Sequence, residues 1–278
     1  MESDATAPDP APPVSDLVPH RLRPMMDRLE RAIGADERIR VAWVGGSIAR
    51  GVADDWSDID LHLLVEDAEH FDVFAWFGTV GATVLADAVP GVPGVFLFLD
   101  ADFVHVDVVR HEVEGFEQEQ LPARVLLDRE HGAMVQDRRV PEPGGDPYYP
   151  ADQVLLVLFY MGNAVTVVRR AEWLVLAHGT ALLRDRFLVP LMLAENGVRK
   201  SDGAKRLNRY LTDEQRSVVA DLPSVGVDPE GLAAAHQAVL GEYLARARRL
   251  AEVCDEVWPA ALEEAGRRLW RDELGWRA

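Results

Sequence analysis

Apolar and polar residues alternate in the first half of the chain with the two-residue period of β-strands. In residues 58–65, the polar residues Asp58, Asp60 and His62 share one face, while apolar residues occupy the other. Further strands are predicted at residues 40–44, 95–99, 103–109 and 126–127. The polar segment 100–102 separates two of these strands and predicts a hairpin turn. The alternation therefore predicts a sheet of about five strands.

Helical periodicity, in which apolar residues recur every three or four positions, marks the remaining elements. The first half contains predicted helices at residues 17–33, 48–52 and 71–80. The second half contains only predicted helices, at residues 153–170, 171–183, 185–196, 213–221, 231–258 and 259–274. Pro190 is expected to kink or divide the third helix of this second set, because proline lacks the N–H that a helix interior needs.

The change of period divides the chain at a segment rich in proline and glycine, residues 140–150. We therefore predict an α+β protein, with a mixed β-sheet domain and flanking helices at residues 17–147. An all-α helical bundle domain is predicted to follow at residues 148–278. Residues 1–16 are rich in alanine, proline and aspartate and are predicted to form a disordered tail.

Composition excludes several classes of protein. Of the 278 residues, 48% are hydrophobic and 27% are charged, which excludes a mostly disordered chain and a collagen-like fibre. The single cysteine, Cys254, cannot form an internal disulfide, so nothing requires an oxidising compartment. The N-terminus lacks the basic start and apolar core of a signal peptide, which favours the cytoplasm. The longest apolar run, residues 154–168, is shorter than the roughly 20 residues of a bilayer span and is predicted to be a buried helix, so no membrane partner is expected.

Charge is distributed unevenly between the two halves. The net charge is −18, and residues 1–150 contain 29 acidic but only 12 basic side chains, so the chain should repel nucleic acid. A basic cluster in the second half contains both lysines of the chain, and its members are Arg199, Lys200, Lys205, Arg206 and Arg209. This cluster could clamp a triphosphate through Lys200 and Lys205, or it could be a solvated loop between helices.

The sequence Val-Gly-Gly-Ser-Ile-Ala-Arg-Gly at residues 44–51 ends the first predicted strand in a glycine-rich turn. Glycines allow backbone N–H groups to approach a ligand closely, so Gly45 and Gly46 could cradle a phosphate. The hydroxyl of Ser47 would add a further donor. Two aspartates follow about ten residues later on one strand face, and a divalent cation such as Mg²⁺ would relieve their repulsion.

A third carboxylate, Asp107, has the same face parity on another strand. If the two strands adjoin, Asp58, Asp60 and Asp107 converge. Three such carboxylates could bind the metal ions of a two-metal displacement at phosphorus. His62 and His105 share these faces and are interpreted either as hydrogen-bonded neighbours or as catalytic assistants.

Gly-Gly-Ser followed by Ser-Asp-Ile-Asp-Leu at residues 57–61 and a later strand aspartate resembles the nucleotidyltransferase superfamily. The resemblance implies transfer of a nucleoside monophosphate from a nucleoside triphosphate, expected to be ATP, with two Mg²⁺ ions. It implies that the glycine turn and Ser47 bind the triphosphate, and that Arg50 reaches a phosphate. Asp58 and Asp60 would be metal ligands. Asp107 would be either the third ligand or the base that takes the acceptor proton.

Architecture and length resemble the antibiotic-modifying branch, the lincosamide and aminoglycoside nucleotidyltransferases. That branch implies a small-molecule acceptor with a reactive hydroxyl. Because the branch includes dimers, a homodimer is one possible oligomeric state of this chain. Two alternatives remain at this point. The acceptor could be a protein or a tRNA end, as in toxin–antitoxin relatives, or the chain could be a non-catalytic nucleotide-binding module.

Overall fold

The computed structural model describes residues 14–119, 121–138, 144–199 and 203–276. The chain divides into two compact units, Met1–Pro141 and Glu142–Ala278, and this division falls inside the predicted linker. Most of the predicted disordered tail, residues 1–13, lies outside the described residues. Its last three residues were assigned wrongly to the tail, because they belong to a short helix, α1 (Val14–Leu17).

Within the described part of the first unit, six strands form one mixed sheet. The strands are β1 (Ile39–Val44), β2 (Ile59–Val65), β3 (Leu85–Ala88), β4 (Val95–Leu99), β5 (His105–Glu112) and β6 (Arg124–Asp128). Their order across the sheet is β3-β4-β5-β2-β1-β6, with β2 and β5 parallel and the other neighbours antiparallel. This arrangement confirms the predicted α+β class and the hairpin between β4 and β5.

The additional strand, β3, lies at the edge of the sheet and all four of its residues are exposed. Its sequence, Leu-Ala-Asp-Ala, contains no β-branched or aromatic residue, so local propensity did not indicate a strand. Backbone pairing with β4 stabilises the strand, although its side chains do not favour β-structure.

Three helices follow α1 in the first unit: α2 (Arg23–Ala35), α3 (Gly46–Ala49) and α4 (Val73–Gly78). The predicted helix at residues 17–33 is interrupted before α2, where Pro19 disfavours helix in the residue that precedes it. α2 buries a stripe at helical spacing, formed by Met25, Met26, Leu29 and Ile33. Asp72 is the N-cap of α4, and its carboxylate accepts hydrogen bonds from two backbone N–H groups.

The two faces of the sheet carry different side chains. One face presents fully buried aliphatic residues of β2 and β5, which join the helices in the main core, among them Ile59, Leu61, Val106 and Val108. The other face has a smaller apolar cluster around Val41, Trp43 and Leu64. The polar residues of β2 and β5 alternate with the buried ones and lie on this second face.

The described part of the second unit is helical. Its elements are α5 (Ala151–Arg169), α6 (Trp173–Leu182), a π-helical segment (Leu183–Leu188), α7 (Val189–Glu195), α8 (Leu207–Tyr210), α9 (Asp213–Asp221), α10 (Pro229–Val253) and α11 (Ala260–Leu274). The chain is helical without a break from Trp173 to Glu195, so the expected helix start at residue 185 is wrong, and near Pro190 the π-helical hydrogen bonding gives way to that of α7 at Val189. α10 ends before the predicted position, and Asp255 beyond it has a positive φ of 56°.

α5 is the one described helix that is long and apolar enough to cross a membrane by length and composition. One third of its apolar window is buried, and its buried stripe includes Val157, Leu158 and Met161. The indole N–H of Trp270 on α11 donates to the carbonyl of Met161 over 2.6 Å. The prediction of a buried helix therefore holds for this stripe, whereas Phe159, on the other side, is 62% exposed.

Candidate active site

Strand β1 ends in a turn that closes onto strand β2. The N–H of Gly45 donates to the carbonyl of Asp60 over 2.8 Å, and Gly46 has a φ of +51°. A Cβ at Gly46 would overlap Oδ2 of Asp60 and lie 2.6 Å from its Cγ. Glycine is therefore required at position 46 both by the backbone conformation and by the close approach of the carboxylate.

Ser47 follows in the turn, and its side chain is buried without a partner. The residue is 5% exposed, and its Oγ has no hydrogen bond within the part of the chain that the structure describes. A buried hydroxyl without a partner costs on the order of 1–3 kcal/mol, so it is an uncommon feature that a ligand oxygen would relieve. Arg50 is the C-cap residue of α3, and its side chain is exposed. Its contact with a phosphate stays a prediction.

The parallel register of β2 and β5 places polar residues of the two strands opposite each other on one face of the sheet. Asp60 lies directly opposite Asp107, and Ile59 lies opposite Val106. The register therefore places Asp58, which immediately precedes β2, beside His105 at the start of β5. The condition on which the sequence prediction depended, that the strands of Asp60 and Asp107 adjoin, is met.

Asp58, His105 and Asp107 form the cluster of possible metal ligands among the described residues. Each offers an atom within 4.8 Å of the others, and all three side chains are partly exposed. Nε2 of His105 lies 3.0 Å from Oδ1 of Asp107. Asp60 is not a member of this group and instead packs its carboxylate against Gly46. The four side chains thus occupy one face, with Asp60 next to the glycine turn.

A stack of aromatic rings supports the turn from the same face. His62 Nδ1 lies 3.0 Å from His111 Nε2, and both imidazoles stack on Trp43 at ring-centroid distances of 4.9 and 5.2 Å. Burial, together with the neighbouring His111, lowers the pKa of His62 to about 4, so the imidazole is neutral at pH 7. A Cβ at Gly45 would lie 3.1 Å from His62 Nε2, so His62 packs directly under the turn.

Sequence reasoning identified His62 and His105 by face parity but missed Trp43 and His111. The alternation of β5 places His111 on the face of His105 and Asp107, so parity could have found it. Trp43 had no such signal, because an apolar residue in a buried strand is expected to pack in the core.

The residues present fit a divalent cation with bound phosphates. Aspartate oxygens suit Mg²⁺, which is held by one or two carboxylates and by substrate phosphates. The imidazole of His105 also suits Mn²⁺ and other transition metals. One observation supports a ligand beside the carboxylates: the buried Oγ of Ser47 has no partner among the described residues.

The basic cluster of the second unit is described in part. Lys200 lies outside the described residues, and Lys205 lies exposed in the turn before α8. The guanidinium of Arg199 stacks on the ring of Tyr148, 3.6 Å from its centroid. Arg199 therefore has a structural contact within the second unit, and phosphate binding by Lys200 and Lys205 stays a prediction.

The solved structures that are similar to the chain include two nucleotidyltransferase-fold proteins. An aminoglycoside 6-adenyltransferase from Bacillus subtilis is 16% identical, with coverage of 88% of this chain and 95% of that chain and a TM-score of 0.36. A STING-associated c-di-GMP synthase from Capnocytophaga granulosa is 13% identical, with coverage of 82% and 81% and a TM-score of 0.29. No protein-family model matches the chain, and the search of curated proteins found no match. Because both TM-scores are below 0.5, the activity is inferred below from the site residues and not from these two proteins.

Proposed function

We propose that the chain is a Mg²⁺-dependent nucleotidyltransferase that transfers a nucleoside monophosphate, expected to be AMP from ATP, to a hydroxyl of a small acceptor. The observation that carries this proposal is the pairing of Asp60 with Asp107 on adjacent parallel strands, beside a turn in which Gly46 admits no side chain. The motif at residues 44–61 supports the same chemistry.

Asp58 and Asp60 would hold the metal, Asp107 would serve as the base, and Ser47 with the glycine turn would bind the phosphates. When bound, Mg²⁺ neutralises charge on the phosphates and favours ionisation of the attacking hydroxyl. Ser47 Oγ is a buried donor that binding would satisfy. The neutral pair of His62 and His111 keeps the turn in place without adding a competing positive charge.

In the proposed reaction, the acceptor oxygen attacks the α-phosphorus, and the bond from that phosphorus to the bridging oxygen of the β-phosphate breaks. Pyrophosphate leaves with the electron pair of that bond, and the acceptor proton passes to the carboxylate of Asp107. His105 Nε2 lies 3.0 Å from Oδ1 of Asp107 and orients this carboxylate. Most of the rate enhancement would come from positioning and from charge stabilisation, as is usual for phosphoryl transfer.

For the acceptor we propose an antibiotic-like molecule of the aminoglycoside or lincosamide type. The resemblance of the chain's architecture and length to that branch supports this choice. The acidity of residues 1–150, with 29 acidic and 12 basic side chains, supports a cationic acceptor, because a field of that sign attracts cations.

The test is to incubate the protein with each nucleoside triphosphate, Mg²⁺ and a panel of aminoglycosides and lincosamides, and to measure acceptor masses. We expect a mass gain of one nucleoside monophosphate. Asp60→Asn and Asp107→Asn should each lower the rate about 100-fold or more, because the first removes a metal-ligand charge and the second removes the proton acceptor.

Asp87→Asn is the matched control. Asp87 lies in the same cross-strand row, opposite Leu97, which in turn pairs with Asp107, but it is exposed on the edge strand β3. Its replacement should leave the rate unchanged.

Absence of product with every nucleotide and acceptor, or full activity in Asp60→Asn, would contradict the proposal. Transfer of label from ATP to protein or tRNA in a lysate would instead identify a macromolecular acceptor, and RNase treatment would distinguish tRNA from protein.

A further inference from the structure

The second unit contains a cavity that the proposed reaction does not use. Its volume is about 560 Å³, and it lies between α5, α6 and the π-helical segment, with residues of α10 and α11 in its wall. The lining is mostly apolar and includes Met161, Leu176, Leu240 and Trp270. Pockets for small organic ligands are of this size and typically combine an apolar wall with a few placed polar groups.

His236 on α10 is the buried polar side chain of this wall. It is 8% exposed, and its Nδ1 lies 2.8 Å from Thr180 Oγ1. The Thr180 hydroxyl has a single proton, which it donates to the carbonyl of Leu176 over 2.7 Å. Because this proton is donated to Leu176, we assign the proton between Thr180 and His236 to His236 Nδ1. In a neutral imidazole with its proton on Nδ1, the other nitrogen, Nε2, is an acceptor.

No donor from the described residues satisfies this acceptor. The rings nearest to His236 are Trp270 and Trp276, at centroid distances of 5.5 and 5.9 Å. The indole N–H of Trp270 is already donated to the carbonyl of Met161. Burial lowers the pKa of His236 to about 4, so the imidazole stays neutral at physiological pH.

We propose that the cavity binds a small, largely apolar molecule with one hydrogen-bond donor, an O–H or N–H group, which His236 Nε2 accepts. The apolar wall favours an aromatic or aliphatic body. A cationic ligand is disfavoured, because the guanidinium of Arg186 also lines the cavity and the rest of the wall is mostly apolar. This proposal does not rest on the proposed nucleotidyl transfer.

The test compares two probes of matched shape, 2-naphthol and naphthalene, by isothermal titration calorimetry on the full-length protein. We expect 2-naphthol to bind about tenfold more tightly, because its hydroxyl forms a hydrogen bond that naphthalene cannot form. His236→Phe keeps a ring but removes the acceptor, so it should abolish this preference and leave naphthalene binding in place. In protein with ¹⁵N-labelled histidine, 2-naphthol should shift the Nε2 resonance that His236→Phe removes.

Two glycine substitutions locate the binding. Gly179 on α6 lines the cavity, and a Cβ there meets nothing within 4 Å, so Gly179→Leu should fill the space and abolish binding of both probes. Gly162 on α5 is equally open but is not part of the lining, so Gly162→Leu is the matched control and should bind as the wild type does.

Several outcomes would overturn the proposal. These are absence of binding to the wild type, equal affinity for the two probes, a preference that survives His236→Phe, and binding that survives Gly179→Leu.

Discussion

At the scale of single residues, Gly46 connects the phosphate-binding turn with the carboxylates. Gly46 has a positive φ, and its Cα lies so close to Asp60 that a side chain would displace the carboxylate. The conformation of the turn and the position of the carboxylate therefore depend on each other. The unpartnered hydroxyl of Ser47 follows immediately in the chain. A change at this one backbone position should therefore affect both halves of the site.

Gly46→Ala tests this coupling. The alanine would adopt a left-handed conformation that costs about 1–2 kcal/mol, and its Cβ would displace the carboxylate of Asp60. We expect a lower melting temperature and loss of nucleotide transfer. Gly78→Ala on α4 is the control, because a Cβ there meets nothing within 4 Å. A Gly46→Ala protein with wild-type melting temperature and activity would show that the turn and Asp60 are not coupled.

Residue parity within strands predicted much of the candidate site. The alternation in residues 58–65 and 103–109 placed Asp58, Asp60 and Asp107 on polar faces, and the observed register joins those faces. Parity alone could not tell which side chains would cluster most closely. The cluster contains His105 in place of Asp60, because Asp60 is held against Gly46.

At the scale of elements, α6 and α10 are joined by a buried polar contact. Thr180 on α6 and His236 on α10 form a hydrogen bond in which the imidazole is neutral. Because the folded-state pKa of His236 is about 4, below the ordinary value of 6.5, the unfolded chain takes up a proton before the folded protein does. The contribution of His236 to stability is therefore complete above pH 6.5 and is lost as pH falls toward 4.

This linkage predicts that lowering the pH from 7 to 5 reduces the free energy of unfolding of the second unit by about 2 kcal/mol through His236. Urea titrations at the two pH values, followed by tryptophan fluorescence, measure the effect. His236→Gln should remove this part of the pH dependence. His178→Gln, which changes an exposed histidine on α6, should retain it. Equal pH dependence in wild type and His236→Gln would contradict the assignment.

Elements with strong periodicity were predicted well, and those formed by tertiary contacts were not. The prediction placed α9 at residues 213–221, where Thr212 forms a capping box with Gln215. β3 was missed because its pairing with β4 depends on the backbone. The π-helical segment was also missed, since nothing in the pattern of Leu183–Leu188 separates it from an ordinary helix.

At the scale of the whole molecule, each unit has its own apolar core. The main core of the first unit is formed by residues between positions 18 and 108, and that of the second by residues between positions 154 and 270. The change of hydrophobic period near residue 150 predicted this division, because the two kinds of core require different periods. The candidate metal ligands belong to the acidic first unit, whereas the cavity lined by His236 belongs to the second.

The most direct test of the central claim is calorimetric titration of the protein with a non-hydrolysable ATP analogue, with and without Mg²⁺. We predict binding that requires Mg²⁺ and is lost in Asp60→Asn but retained in Asp87→Asn. Binding that is equally tight without Mg²⁺, or that survives in Asp60→Asn, would contradict a metal-dependent nucleotide site at this face of the sheet.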